Sequence, residues 1–155
     1  MRADGFTLVE LLVVMTIMGL LLAFTVPALR PLVAAQRVRA VVFDLAGDFV
    51  LARSEAVKRN TRVQVVPDAA GWAQGWTVSI DGSPQPLRRR DANGSGVTLA
   101  GAPGRIVFDE IGRVAVPGQP VRIDVLPDGE LAAATRRCVA LDPGGRPRTS
   151  QGACP

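Results

Sequence analysis

A nearly uncharged apolar stretch close to the start of the chain constrains this sequence more than any other feature. Residues 6–26 contain a single ionisable side chain, that of Glu10. About 20 apolar residues in a helix are enough to cross the hydrocarbon core of a bilayer. A carboxylate inside such a segment costs roughly 2.5–3.5 kcal/mol on insertion scales, so it is by default a functional residue with a partner. The stretch therefore predicts one transmembrane helix whose only carboxylate takes part in an interaction.

The residues around this carboxylate form a motif. A short polar leader is followed by Gly5-Phe6-Thr7-Leu8-x-Glu10 and then by the hydrophobic run. This pattern resembles the class III signal of type IV pilins and type II secretion pseudopilins. The resemblance implies that a prepilin peptidase cleaves between Gly5 and Phe6 and that Phe6 is then N-methylated. It also implies that Glu10 pairs with the free N-terminal amine of a neighbouring subunit during assembly.

An ordinary secretory signal peptide is the alternative explanation of the apolar stretch. Such a signal has a basic n-region and a small-residue cleavage site after its apolar core. Here Arg2 and Asp4 cancel each other, and the small residue Gly5 precedes the apolar run. The sequence therefore favours a helix that stays in the mature protein.

The helical pattern continues beyond the apolar stretch as one amphipathic face. Apolar residues recur at alternating spacings of 4 and 3, which is one face of an α-helix. This face predicts one helix over residues 6–59 that packs on the chain's own sheet and ends at Asn60 and Thr61. Charged residues of the same segment, such as Asp44 and Asp48, are expected mostly on other faces. The predicted core stripe is Val38, Val42, Leu45, Phe49, Ala52 and Ala56.

The rest of the chain has the pattern of short β-strands. Alternating runs separated by Gly, Pro, Asn and Asp turn signals favour an antiparallel sheet or sandwich. Residues 81–95 form the longest polar stretch and are predicted to be a loop. The predicted strands are residues 62–66, 75–80, 97–100, 105–109, 112–116, 121–126 and 136–141.

A long N-terminal helix followed only by strands resembles the GspH/FimT-type minor pilins and pseudopilins. The resemblance implies an α+β, pilin-like fold, with the helix packed on a C-terminal antiparallel β-sheet or sandwich. We expect a leader peptide at residues 1–5 and the transmembrane half of the helix at residues 6–29. The soluble periplasmic domain is expected at residues 30–155, including the amphipathic half of the helix.

The two cysteines predict a cross-link near the C-terminus. An even number of cysteines in an exported chain indicates a disulfide formed in an oxidising compartment. A bond between Cys138 and Cys154 encloses 15 residues. Closing a loop of that size stabilises the fold by about 3 kcal/mol.

The last 20 residues carry a basic cluster that also resembles the GspH/FimT group. After its last predicted strand the chain has the Gly-Arg-x-Arg pattern. In family members that serve DNA uptake, the corresponding tail contacts DNA. The resemblance implies contacts from Arg146 and Arg148 beside Gly145, with Arg136 and Arg137 as secondary contacts. Arginine binds phosphate in bidentate fashion, and glycine allows close backbone approach. The alternatives are a solvated basic tail or a salt bridge at a strand edge.

Two further groups of residues have both a structural and a functional interpretation. The run Arg88-Arg89-Arg90 is expected to be solvated in a loop, and its alternative is an extension of a phosphate-binding track. Trp72 and Trp76 are expected to pack on the core, and their alternative is stacking on nucleic-acid bases.

Composition argues against an enzyme. The chain has no histidine, which excludes histidine-based triads, metal sites and general bases. Two distant cysteines are too few for a zinc site and too far apart for a CxxC redox motif. We therefore expect no catalytic residue, no metal and no cofactor. The net charge of +4 is carried by 17 arginines and one lysine, and a basic surface favours polyanionic partners.

Together these features indicate a minor pilin or pseudopilin that is anchored in the bacterial inner membrane by one pass, with its C-terminal domain in the periplasm. Its expected partners are prepilin peptidase and other subunits, at the tip or initiation complex of a type IV pilus or type II secretion pseudopilus. Two functions remain open. One is non-specific contact with double-stranded DNA for DNA uptake, and the other is an H-type pseudopilin that acts only in protein secretion.

The leader motif makes a direct prediction about processing. We expect the mature protein to begin at Phe6, because a polar leader directly precedes the apolar run. The pilin resemblance further implies that this Phe6 is N-methylated. Mass spectrometry of the protein purified from membranes measures the mature N-terminus. A mature chain beginning at residue 23 or later would contradict both the cleavage site and the pilin resemblance.

Overall fold

The computed structural model describes residues 7–91, 96–115, 120–129 and 135–155. Its first element is helix α1, Leu8–Arg59, which has 52 residues. The chain divides into two compact units, one up to Val33 and the other Ala34–Pro155, and α1 contributes to both. The predicted helix over residues 6–59 is thus confirmed for all of its described residues except Thr7.

The first unit is the apolar half of α1. Leu8–Thr25 is long and apolar enough to cross a membrane, and none of this segment is buried within the chain. Thr7 precedes the helix, and its Oγ1 accepts a hydrogen bond from the Glu10 amide at 3.3 Å. A threonine at this N-cap position satisfies one of the amides that a helix leaves unpaired at its start.

The end of α1 is fixed by the residue that the sequence indicated. Asn60 has a positive φ of 49°, which asparagine tolerates better than most residues. Its amide donates to the Val57 carbonyl at 3.3 Å, and the Thr61 amide donates to the Ala56 carbonyl at 3.1 Å. These two bonds are the Schellman pattern, which terminates helices by satisfying their last carbonyls.

The amphipathic face of α1 is the centre of the core in the second unit. All six residues of the predicted stripe are buried, with exposed fractions between 0 and 5%. They pack in one cluster with apolar residues of the strands, which confirms the predicted contact between helix and sheet. The stripe is narrow, and the opposite side of the same helix segment carries exposed residues such as Phe43 and Val50.

Within the described residues, eight strands follow the helix and form two antiparallel sheets. The first sheet has the order β3-β2-β1-β5, and the second has the order β4-β6-β7-β8. The predicted α+β fold with an antiparallel sandwich is therefore confirmed. The strands are β1 Val63–Asp68, β2 Gly71–Ile80, β3 Pro86–Asp91, β4 Val97–Ala100, β5 Ile106–Phe108, β6 Val121–Pro127, β7 Arg137–Leu141 and β8 Pro147–Gln151.

Two strands lie where the sequence predicted loops. β3 occupies part of the predicted loop at residues 81–95, and β8 occupies the predicted tail after residue 141. Both are edge strands of their sheets. An edge strand has one sheet neighbour and can be polar, so it lacks the apolar alternation that marks a strand in the sequence.

The predicted strand at residues 112–116 is wrong for its described part, residues 112–115. Only an isolated bridge is present there, between Val114 and Phe108. The segment turns back at Gly112, which has a positive φ of 78°. Glycine adopts this conformation at no steric cost, so the chain reverses where a strand was expected to begin.

The β3 strand is held by a buried carboxylate on α1. Asp48 is 0% exposed, although the sequence pattern placed it mostly off the core face. Its two oxygens accept hydrogen bonds from Trp76 Nε1 at 2.9 Å, Arg88 Nη1 at 3.0 Å and Arg90 Nε at 3.0 Å. Arg90 also pairs with Asp44 at 3.1 Å. The cost of burying the Asp48 charge is offset because every one of these donors faces it.

We expect Asp48→Asn to lower the free energy of unfolding by about 2 kcal/mol, because it leaves two arginines without their anion. That estimate is below the 3–5 kcal/mol typical of fully buried pairs, since both arginine side chains are partly exposed. Urea unfolding of the full-length protein in detergent, followed by tryptophan fluorescence, measures the change.

Asp44→Asn is the matched control for this experiment. Its carboxylate is 29% exposed and holds one partly exposed arginine, so the expected loss is below about 1 kcal/mol. Equal losses in the two variants would contradict the role assigned to the Asp48 cluster.

Candidate functional site

The C-terminal segment is a β-ladder closed by the predicted disulfide. β7 pairs with β8 from Arg137 opposite Gln151 to Leu141 opposite Pro147. Cys138 and Cys154 are bonded, with their Cα atoms 5.0 Å apart, which confirms the predicted cross-link. The chain end is thereby tied to β7, and the predicted loop is an ordered hairpin instead.

Arg136 is already engaged within the fold. Its Nε and Nη2 donate to the two carboxylate oxygens of Asp124 at 3.0 and 2.7 Å. The hydrogen bond from Arg136 holds the pKa of Asp124 below its usual value; burial opposes this shift, and the Cys154 amide, at 2.9 Å, reinforces it. The same pair raises the pKa of Arg136. Arg136 is therefore bound in a salt bridge, as one alternative predicted, but the bridge lies at inner strands of the second sheet and not at an edge strand.

Arg137 lies on the side of the sheet that faces α1. Side chains two residues apart along a strand share a face, and Val139 and Leu141 on that face are buried in the core. Arg137 also lines a cleft of about 250 Å³ together with Arg39 of α1. Its half-buried guanidinium is therefore directed to another surface than the tail arginines.

Arg146 and Arg148 lie on the opposite face of the ladder, away from α1. Arg148 is opposite Ala140, which alternates with the buried Val139 and Leu141. The Asp142 amide donates to the Arg146 carbonyl, which places Arg146 on the same side as Arg148. Both side chains are exposed. Within the described residues, neither guanidinium forms an ion pair or a hydrogen bond. These two arginines are available to an external anion.

Gly145 is required by the fold itself. It is buried and has a positive φ of 76°, and a Cβ there would collide with the Gly112 carbonyl. The same Cβ would come within 3.2 Å of the Phe108 ring and 3.3 Å of Arg53 Cδ. Arg53 Nε in turn donates to the Gly112 carbonyl at 3.1 Å. The close backbone approach that Gly145 allows is to Gly112, so this glycine positions the neighbouring arginine and offers no open surface for a ligand.

The run of residues 88–90 is mostly neutralised by acids. Arg88 and Arg90 bind Asp48, as described above, and Arg89 faces the other way, with Asp91 at 3.2 Å. The predicted solvated loop is therefore wrong, because the run is an edge strand covering a buried charge.

Both tryptophans have the predicted structural role. Trp72 is 7% exposed and Trp76 is 1% exposed, and both belong to the core cluster. Their Nε1 atoms donate to the Pro103 carbonyl at 2.7 Å and to Asp48 at 2.9 Å. Neither ring is available for base stacking.

The N-terminal site is described only in part. Gly5 and Phe6, the predicted cleavage and methylation residues, lie outside the described residues. Glu10 is exposed in the first turn of α1, and its side chain has no partner among the described residues. Its position there also favours the helix electrostatically, since an acidic side chain complements the positive end of the helix dipole.

Most arginines of the second unit are bound internally, and six are not. Over the described part of Ala34–Pro155, these six form no ion pair or hydrogen bond through their side chains. The described residues also contain no cluster of three potential metal ligands. The unengaged arginines are Arg39, Arg105, Arg113, Arg137, Arg146 and Arg148.

Known proteins with a pilin-like fold are similar to this chain in sequence pattern and in structure. The family model of the type II transport protein GspH matches residues 42–145, and the prokaryotic N-terminal methylation motif matches residues 1–26. Two crystal structures of the type IV minor pilin FimU from Pseudomonas aeruginosa have a similar fold. The first has a TM-score of 0.64 at 20% identity and covers 74% of this chain and 89% of that chain. The second has a TM-score of 0.60 at 20% identity, with coverages of 72% and 91%.

No curated protein sequence matches the chain at a significant level. The FimU similarity establishes the fold alone, because the sequences differ at most positions. The GspH match extends over more than half of the chain, and the methylation motif covers the predicted leader and apolar stretch. The chain therefore belongs to the GspH family of type IV pilin-like minor pilins and pseudopilins.

Proposed function

We propose that this subunit serves a type IV pilus and contacts duplex DNA through Arg146 and Arg148. The supporting observation is that both guanidiniums are exposed and unengaged, with Arg148 on the edge strand β8 and Arg146 in the turn directly before it. The disulfide holds that strand in place, so little conformational entropy is lost when a ligand binds. Of the four tail arginines, these two form the contact.

The expected mode of binding is electrostatic and independent of sequence. Arginine recognises phosphate oxygens in bidentate fashion, and phosphate contacts carry no base readout. Arg136 contributes little because Asp124 occupies its guanidinium, and Arg137 lies on the α1 side of the sheet. The dissociation constant is expected on the order of 10⁻⁴–10⁻⁶ M, the range of charge-driven binding.

An H-type pseudopilin that acts only in protein secretion is the second candidate function. It is favoured by the description of the matching family model, a type II transport protein. Both candidates share prepilin peptidase processing, one inner-membrane pass with a periplasmic domain, and a place at the filament tip or initiation complex. They differ in whether the tail arginines have a ligand.

In both candidates Glu10 acts in assembly. Its carboxylate lies in a segment apolar enough for a bilayer and has no partner among the described residues. An unpaired charge in that environment is costly, so a cation from another subunit stabilises the assembled state. The free amine at the mature N-terminus of a neighbouring subunit is the cation that the pilin motif supplies.

The DNA contact is tested with Arg146→Gln/Arg148→Gln in the full-length protein in detergent micelles. Fluorescence anisotropy with a labelled DNA duplex, titrated at several salt concentrations, gives the affinity and its salt slope. We expect wild type to bind at low salt and the double variant to bind more weakly for every sequence. Its slope should be smaller by about 2, because two phosphate contacts are lost.

The control variant Lys58→Gln/Arg89→Gln also removes two positive charges, but from exposed positions outside the tail. This control should keep the wild-type slope. The DNA contact is excluded if wild type shows no binding at low salt, or if the tail variant binds like wild type. The secretion-only function would then be the better description.

Glu10→Ala tests the assembly role. We expect the variant to insert into the membrane normally, because removing a charge favours an apolar environment. Incorporation into filaments should fall strongly, since the neighbouring amine loses its anion. Membrane fractionation and immunoblotting of sheared filaments measure the two quantities separately. Normal incorporation of the variant would show that the pairing is not needed.

A further inference from the structure

Two turns with the same five-residue pattern lie against each other at the edge of the second unit. The pattern is Asp-x-x-Gly-Arg, at residues 109–113 and 142–146, and we refer to these segments as the paired turns. The first follows β5 of the first sheet, and the second joins β7 to β8 of the second sheet. The repetition is hard to recognise in the sequence because residues 112–116 have the pattern of a strand.

The paired turns have the same hydrogen bonds. The Asp109 amide donates to the Arg113 carbonyl at 2.9 Å, and the Arg113 amide donates to Asp109 Oδ1 at 2.6 Å. The Asp142 amide donates to the Arg146 carbonyl at 3.1 Å, and the Arg146 amide donates to Asp142 Oδ1 at 2.9 Å. Each turn therefore uses its aspartate side chain and the backbone of its arginine, and neither uses a guanidinium.

Their contact brings the two arginines close together. The Gly112 carbonyl lies against the Cβ position of Gly145, and each glycine directly precedes its arginine. Standard backbone dimensions then place the Cα atoms of Arg113 and Arg146 within about 10 Å of each other. Two arginine side chains that start so close can reach phosphates of the same duplex, whose minor groove is about 6 Å wide.

Both arginines are directed away from the core. The residue before each aspartate, Phe108 or Leu141, is buried. Backbone hydrogen bonds pair Asp109 with Arg113 and Asp142 with Arg146, and paired residues share a face. Because side chains alternate along a strand, each arginine is on the face opposite the buried residue that precedes its aspartate. Arg113 and Arg146 are both exposed, and their side chains have no ion pair or hydrogen bond within the described residues.

Neither guanidinium of this pair forms an ion pair with a nearby acid within the described residues. Asp142 accepts the Arg146 amide, and Asp109 accepts the Arg113 and Ile111 amides, the latter at 3.2 Å. Glu110 has its own partner, Arg62, at 3.6 Å. The charges on the aspartates lower the local potential, but their hydrogen-bonding oxygens are directed to the turn backbone.

We propose that Arg113 is a further phosphate-contacting residue and forms one binding unit with Arg146, on the phosphodiester backbone of duplex DNA. The inference rests on the proposed DNA contact and extends it from the C-terminal tail to the other sheet. The turn does not need the Arg113 guanidinium for its own structure, and the matching turn presents its arginine in the same way. The binding surface is therefore a composite of both sheets, fixed where the two glycines meet.

The test uses full-length protein in detergent micelles and a fluorescein-labelled DNA duplex, with anisotropy titrations between 50 and 200 mM salt. Arg113→Gln is compared with Arg146→Gln and with Arg89→Gln as the matched control for loss of one exposed arginine. Wild type loses affinity as salt rises from 50 to 200 mM, and each lost phosphate contact should make that loss smaller by roughly 3.5-fold. Arg113→Gln and Arg146→Gln should both show this reduction, and Arg89→Gln should not. Arg113→Lys should restore most of the salt dependence, because it keeps the charge.

The outcomes separate this inference from the proposed function. If Arg146→Gln weakens binding but Arg113→Gln behaves like Arg89→Gln, the composite surface is wrong and the tail contact stands. If wild type does not bind the duplex at 50 mM salt, the proposed DNA contact fails and the inference fails with it. If Arg113→Lys binds as weakly as Arg113→Gln, an effect on the turn explains the loss, and the phosphate contact is overturned.

Discussion

Burial of one helical stripe is the interaction on which the soluble unit depends. Among the described strands, no hydrogen-bonded pair joins the first sheet to the second. The two sheets share a core because residues such as Leu45 and Phe49 of α1 pack in one cluster with Val65 of the first sheet and Ile123 of the second. Full burial of such a side chain contributes about 1.5–3 kcal/mol. The helix therefore has a segment apolar enough to cross a membrane at one end and joins the two sheets at the other.

The same architecture decides which charges remain available to partners. Asp48 lies on the inner side of α1 and engages Arg88 and Arg90, while Asp124 engages Arg136. A buried or half-buried carboxylate requires such donors, because an isolated buried charge is strongly unfavourable. The arginine-rich composition thus divides into internal counter-ions and a smaller set of free side chains. Only the free arginines can bind a polyanion, because the charges of the internal counter-ions are offset by the carboxylates that they bind.

The fold was largely predictable from the sequence, and the site only in part. The buried helix stripe between residues 38 and 56 follows from helical periodicity, which is a local sequence pattern. The Cys138–Cys154 cross-link follows from the pairing of the two cysteines. The edge strands β3 and β8 do not follow from such a pattern, because polar edge residues carry no apolar alternation. The sequence also does not show that Arg136 is bound in a salt bridge whereas Arg148 is free within the described residues. This difference depends on strand register and on a carboxylate, Asp124, that becomes a neighbour only through the pairing of β6 with β7.

The contact between Gly112 and Gly145 positions the arginine that follows each glycine. Gly145 reads in the sequence as part of an arginine-rich motif, but in the structure its missing Cβ is what lets two turns meet. A side chain there would have to displace the Gly112 carbonyl, which Arg53 also holds. The orientation of the free arginines is consequently a property of packing between α1 and two turns from different sheets. A minor pilin and a secretion pseudopilin can share that packing entirely, so the shared fold does not separate them. What separates them is whether the guanidiniums that the packing leaves exposed have an anionic ligand, and this depends on side chains that the fold itself does not need.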